Sequence, residues 1–176
     1  LFDLALVYLG GIEKRADLDK EFRQVIDLER ALLYSQAAGF LPRNSPQRAE
    51  RLDQTEAALK RFVEEHPKHL RRSEARLKLG GLLQMRAEEA LLKSGTDGQQ
   101  EVPEAVQFFD QAHQLFESTV AELAEMESSL RGGRIDASDP KQVAERDRIT
   151  VELREAELLS AKSVENRGRS RGITNP

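Results

Sequence analysis

The sequence predicts an all-α protein made of antiparallel helix pairs, with a long helical hairpin at its C-terminal end. Apolar residues recur at steps of three and four along most of the chain, which is the signature of one buried helical stripe. Pro or Gly stands at the ends of those runs, where helices start and stop. β-Branched residues are sparse and never alternate with polar ones over a useful length, so no strand pattern competes.

The punctuation predicts about six helices. The first covers 2–15, with Leu4, Leu6, Val7 and Leu9 as a broad apolar surface. The second covers 18–38 and carries Phe22, Val25, Ile26, Leu28, Leu32 and Leu33 on one face, with Gly39 as its stop. Ser45-Pro46 caps and opens the third, whose Leu52, Thr55, Leu59 and Phe62 keep helical spacing until Pro67 closes it. The fourth covers 70–93 with Ala75, Leu79, Leu82, Leu83 and Ala90. Its Gly80-Gly81 pair costs about 1 kcal/mol per residue relative to Ala, which points to a close backbone approach there. A polar loop over 94–101 follows, expected to be mobile. Pro103 opens the fifth helix, whose stripe Ala105, Phe109, Ala112, Phe116, Val120, Leu123, Met126 and Leu130 is the clearest helical pattern in the chain. From 102 to 131 it would extend about 45 Å. Asp139-Pro140 opens the sixth, which Gly168 is expected to end. The organisation expected is therefore one helical domain over 1–167 and a disordered tail over 168–176.

Apolar residues make up 39% of the 176 and charged residues 33%, a polar balance suited to helices that each bury a single stripe. The net charge of −4 offers no overall basic field for nucleic acid or an anionic membrane. The absence of Cys removes disulfides, thiolate nucleophiles and sulfur-rich metal sites. The most apolar stretch, 1–12, is interrupted by Asp3 and Gly10-Gly11 and is shorter than the ~20 residues of a membrane span. A first residue other than Met leads us to expect a piece of a larger or processed protein.

Two stretches carry a family likeness. Ala105-x-x-x-Phe109-x-x-Ala112, continuing to Phe116, resembles the second-helix signature of a tetratricopeptide repeat, in which small residues admit a neighbouring helix and an aromatic fills the groove. Ala58-x-x-x-Phe62 before Pro67 is similar to the end of such a repeat, and Ala75 with Leu79-Gly80 to the start of the next. This combination resembles the repeats of periplasmic and outer-membrane-associated tetratricopeptide proteins of bacteria. The resemblance implies a short right-handed stack of helix pairs with repeat-packing residues Ala58, Phe62, Pro67, Ala75, Leu79, Gly80, Ala105, Phe109, Ala112 and Phe116. It also implies a scaffold that binds a protein or peptide.

Candidate chemistry reduces to ordinary surface features. His66 and His69 straddle Pro67, which breaks the spacing that paired metal-binding histidines need, and with His113 they are read as surface or loop groups. Glu64-Glu65, Glu88-Glu89 and Glu125-x-Glu127 point in different directions on their helices and read as solvated faces rather than acid/base pairs. Gly10-Gly11, Gly80-Gly81 and Gly132-Gly133 lack the following Lys-Ser/Thr of a phosphate loop. The best basic patch is His69, Arg71, Arg72, Arg76 and Lys78, interrupted only by Glu74. From it Arg72, Arg76 and Lys78 are the candidate partner-binding residues. The tail arginines Arg167, Arg169 and Arg171 read as a solubilising end.

The function expected is a non-catalytic scaffold that binds a protein segment, with no cofactor, no metal and no nucleic acid. The alternative is self-association into a homo-oligomer through the long fifth and sixth helices, where Phe108 and Leu115 widen the apolar stripe.

Overall fold

A computed structural model of the chain describes residues 2–43, 45–94, 102–132 and 138–171, apart from the side chains of residues 21, 169 and 170. Among these residues there are six α-helices and no strand: α1 Phe2–Glu13, α2 Lys20–Gly39, α3 Pro46–Glu65, α4 Arg72–Ser94, α5 Pro103–Gly132 and α6 Pro140–Ser170. The starts follow local chemistry. Asp19 Oδ1 accepts from the Phe22 N–H (3.3 Å) at the head of α2. Ser45, extended and followed by Pro46, accepts from the Arg48 N–H at the head of α3. Asp139 accepts from the Lys141 N–H at 2.9 Å before α6. His66 ends α3, its N–H donating to the Phe62 carbonyl in front of Pro67.

The chain forms two compact units, Leu1–Ala75 and Arg76–Pro176, with the boundary in the first turn of α4. In the first unit α2 packs on α3 and α1 on α2. The core comprises Leu9, Ile26, Leu28, Ala31, Ala37, Ala38, Leu52, Ala58, Leu59 and Phe62. Each fully buried Leu or Phe contributes about 1.5–3 kcal/mol of transfer free energy. Phe22, expected on the inner face of α2, is exposed instead; it lies in the first turn, where the capping bond from Asp19 holds its N–H. Arginines tie the helices at the rim: Arg51 to Asp3 and Arg30 to Glu13, each at 2.6 Å. Arg71 reaches Glu74 (2.7 Å) and Glu29 (2.6 Å).

In the second unit α5 packs on α6. Ala105, Phe109, Ala112, Phe116 and Leu123 of α5 and Ile149, Leu153 and Ala156 of α6 are buried. A smaller cluster joins Ala87 and Ala90 of α4 to Ala105 and Phe109, with Leu91, Val102 and Phe108 packed around it. Two expectations about the chain end change. Gly168 lies inside α6 rather than ending it, and Arg171 is tethered, because Arg167 and Arg171, one turn apart, both reach Asp110 of α5 at 2.5 and 3.0 Å. Residues 172–176 of the expected tail over 168–176 and residues 95–101 of the expected loop over 94–101 lie outside the described residues, as does Gly133.

Candidate interaction surface

Most of the charged and apolar groups singled out in the sequence are consumed inside the chain. Nine of the ten repeat-packing residues are buried: Ala58, Phe62, Ala75, Leu79, Gly80, Ala105, Phe109, Ala112 and Phe116. Pro67 alone is exposed, at the turn after α3. The helical Gly80 has a specific reason. A Cβ built there would lie 2.4 Å from Phe116 Cε1, so the aromatic ring occupies the space a side chain would take. Gly81 meets nothing within 4 Å, so only one glycine of the pair serves packing.

The candidate partner-binding cations require correction. Arg76 is buried, and its guanidinium donates to Glu122 and to Ser118 Oγ of α5. A buried cation satisfied in this way is a structural tie and is not presented to a partner. Arg72 is half-buried, with its Nε donating to the Val63 carbonyl at 3.4 Å. Lys78 is exposed. Arg71, between Glu74 and Glu29, has its guanidinium held above the usual range, first by the Glu74 hydrogen bond and then, against the effect of burial, by Glu29.

Of the three histidines, which were expected at the surface or in loops, His66 and His69 lie in the turn between α3 and α4, and His113 departs from the expectation. His113 is buried beside Ala112, with Nδ1 2.7 Å from Ser163 Oγ on α6. The Ser163 hydroxyl donates to the Ser160 carbonyl at 2.6 Å, so it accepts from His113 and Nδ1 carries the proton. On the other side, Nε2 lies 3.3 Å from Glu117. His66 and His69 are half-buried around Phe62, their rings 5.3 and 5.2 Å from its centroid, and His69 Nδ1 accepts from the Arg71 N–H. A cleft of about 420 Å³ opens there, lined by Gln24 and residues 65–70. Among the described residues no group of three His, Asp or Glu side chains is placed to hold a metal ion, and no helix is long and apolar enough to cross a membrane.

Phe108, expected to widen a surface for a second copy, packs within the chain against the Ala87 and Ala90 cluster instead, and Leu115 is half-buried. Exposed large apolar side chains among the described residues include Phe40, Leu92, Val151 and Leu158, and three more share the outer face of α1. Leu4, Val7 and Tyr8 are 71–72% exposed, while Leu9 on the opposite face is buried and Leu6 and Ile12 are half-buried. Gly11 continues the outer face, and a Cβ there would meet nothing within 4 Å. α1 is therefore apolar on both sides, a pattern proper to a helix covered on both sides. The signal was present in the spacing of three, one and three from Leu4 to Gly11. It is hidden when the whole run is read as one broad apolar surface.

No protein-family model, no curated protein and no solved structure matches the chain.

Proposed function

We propose that the chain is a non-catalytic helical-repeat scaffold that binds an apolar helical segment of a protein on the outer face of α1. The observation that carries this reading is the exposure of Leu4, Val7 and Tyr8 on one helical face, opposite a face already packed on the chain. Side chains at i, i+3 and i+4 form the ridge that an incoming helix receives between its own ridges. Covering three such side chains contributes about 1.5–3 kcal/mol each before the cost of association is counted.

The repeat-like arrangement enters the proposal on packing grounds. Gly80 under the Phe116 ring, with Ala105, Phe109 and Ala112 on the same helix as that ring, resembles the small-residue and aromatic alternation of a tetratricopeptide pair. Antiparallel pairing of α5 and α6 is supported by the order of their contacts, in which Asp110 meets Arg167 and the later His113 meets the earlier Ser163.

The test is a photo-crosslinking amino acid placed at Tyr8 in intact cells of the source organism, with one at Lys78 as reference. The reading expects a protein adduct mapped to the α1 face and dependent on Val7. Absence of any adduct at Tyr8 overturns it.

A further inference from the structure

We infer that His113 and Glu117 of α5 form a chelate for a divalent transition-metal ion, with zinc as its representative. The two residues are one turn apart, the spacing at which helical side chains meet, and His113 Nε2 lies 3.3 Å from Glu117 Oε1. The state of Nε2 follows from the other ring nitrogen. Nδ1 donates to Ser163 Oγ at 2.7 Å, because the Ser163 hydroxyl gives its own hydrogen to the Ser160 carbonyl at 2.6 Å. In the neutral ring Nε2 is then a lone pair beside a carboxylate oxygen, and a cation between the two relieves the contact. A proton would draw them to the about 2.7–2.9 Å of an N–H···O bond between ions, closer than the separation present. Two atoms about 2.0–2.1 Å from a tetrahedral zinc ion lie about 3.3–3.4 Å from each other, which matches it.

The surroundings supply what such a pair needs. A metal-ligating imidazole as a rule donates its other N–H to a fixed acceptor, which sets the tautomer and the ring orientation. Here the acceptor is Ser163, wholly buried and on the facing helix, so the packing of α5 on α6 holds the ring. Among the described residues no Lys or Arg pairs with Glu117, whereas Asp110, Glu122 and Glu127 of the same helix are each taken by an arginine. The imidazole is 10% exposed and the carboxylate 62%, which places the ion at the rim of the core with its remaining positions open to water. His69 fails by the same reasoning: its Nδ1 accepts from the Arg71 N–H, so its neutral ring carries the proton on Nε2. With two ligands from the chain, the site binds more weakly than a closed four-ligand zinc site.

The test is titration of the full chain with zinc chloride, and separately with magnesium chloride, followed by proton–nitrogen NMR of the histidine rings. It is run at about pH 7.5, above the ordinary imidazole range. Before metal, the His113 ring should carry its proton on Nδ1. Zinc should shift the His113 Nε2 resonance before any of His66 or His69, and magnesium, which prefers oxygen ligands, should leave it in place. Glu117→Gln, at an exposed position, should keep the circular dichroism of the parent chain and raise the apparent zinc dissociation constant at least about tenfold. Ser163→Ala should raise it about tenfold by freeing the ring. Glu117→His, which sets a second imidazole at the same spacing, should lower it several-fold. No response of His113 to zinc up to about 1 mM overturns the site. So does a His113 ring without a proton on Nδ1, a response confined to His66 or His69, an equal response to magnesium, or an unchanged zinc response in Glu117→Gln.

Discussion

Gly80 and Gly81 are adjacent in sequence and opposite in consequence. At Gly80 a methyl group would run into the fully buried Phe116 ring, so Gly80→Ala should lower unfolding free energy by about 1–3 kcal/mol, in line with overpacking of a filled core. At Gly81 nothing stands in the way, and Gly81→Ala should raise it by about 0.5–1 kcal/mol through helix propensity. Chemical denaturation of the two variants checks both signs. A second residue-level expectation concerns Asp17, whose carboxylate accepts from Arg15 Nε and Nη2 at 3.0 and 2.6 Å. That hydrogen bond holds the Asp17 carboxyl below its ordinary value of 3.8. Its contribution to stability is therefore present above the unfolded pKa and lost as pH falls through the folded one. A carboxyl NMR titration should place the midpoint below 3.8 in the parent chain and return it toward 3.8 in Arg15→Gln. Both groups are fully exposed, so the titration, not the melting temperature, is the readout.

Between elements, arginine side chains carry much of the polar joining. Arg76 binds α4 to α5 through Glu122 and Ser118, and Arg167 with Arg171 binds the last turn of α6 to Asp110. Buried ion pairs add little over an apolar pair, but removing one partner leaves a desolvated charge. Glu122→Gln should accordingly cost about 1–3 kcal/mol, less than for a fully buried pair because Glu122 is partly exposed. Thermal unfolding at low and high salt checks this: the loss should persist at high salt, since a buried guanidinium is poorly screened. The buried threonines solve the same problem locally, with Thr55 donating to the Arg51 carbonyl and Thr119 to the Leu115 carbonyl.

Across the whole molecule, Phe62 anchors the core of the unit Leu1–Ala75 and Phe116 that of the unit Arg76–Pro176. Truncating either to Ala removes a fully buried ring and should cost about 3–5 kcal/mol. Native-state hydrogen exchange should then rise mainly in the unit that carries the change: over α2 and α3 for Phe62→Ala, and over α5 and α6 for Phe116→Ala. A uniform rise along the chain in both variants would show that the two units unfold as one.

The helical character, the starts of α3 and α6 and the end of α3 were legible because they depend on short-range chemistry: a stripe with a step near 3.6, a capping Ser or Asp before Pro, and Pro67 where α3 stops. The buried alternation of Ala105, Phe109, Ala112 and Phe116 was legible for the same reason. The fates of Arg76, His113 and Arg171 were not. A cation at helical spacing looks the same whether it faces solvent or a carboxylate forty-six residues away in sequence, as Arg76 faces Glu122. Nor does spacing say which of two apolar faces of α1 is already occupied. Periodicity states what a helix could bury, and only the packing of the other helices decides which part of that surface remains open.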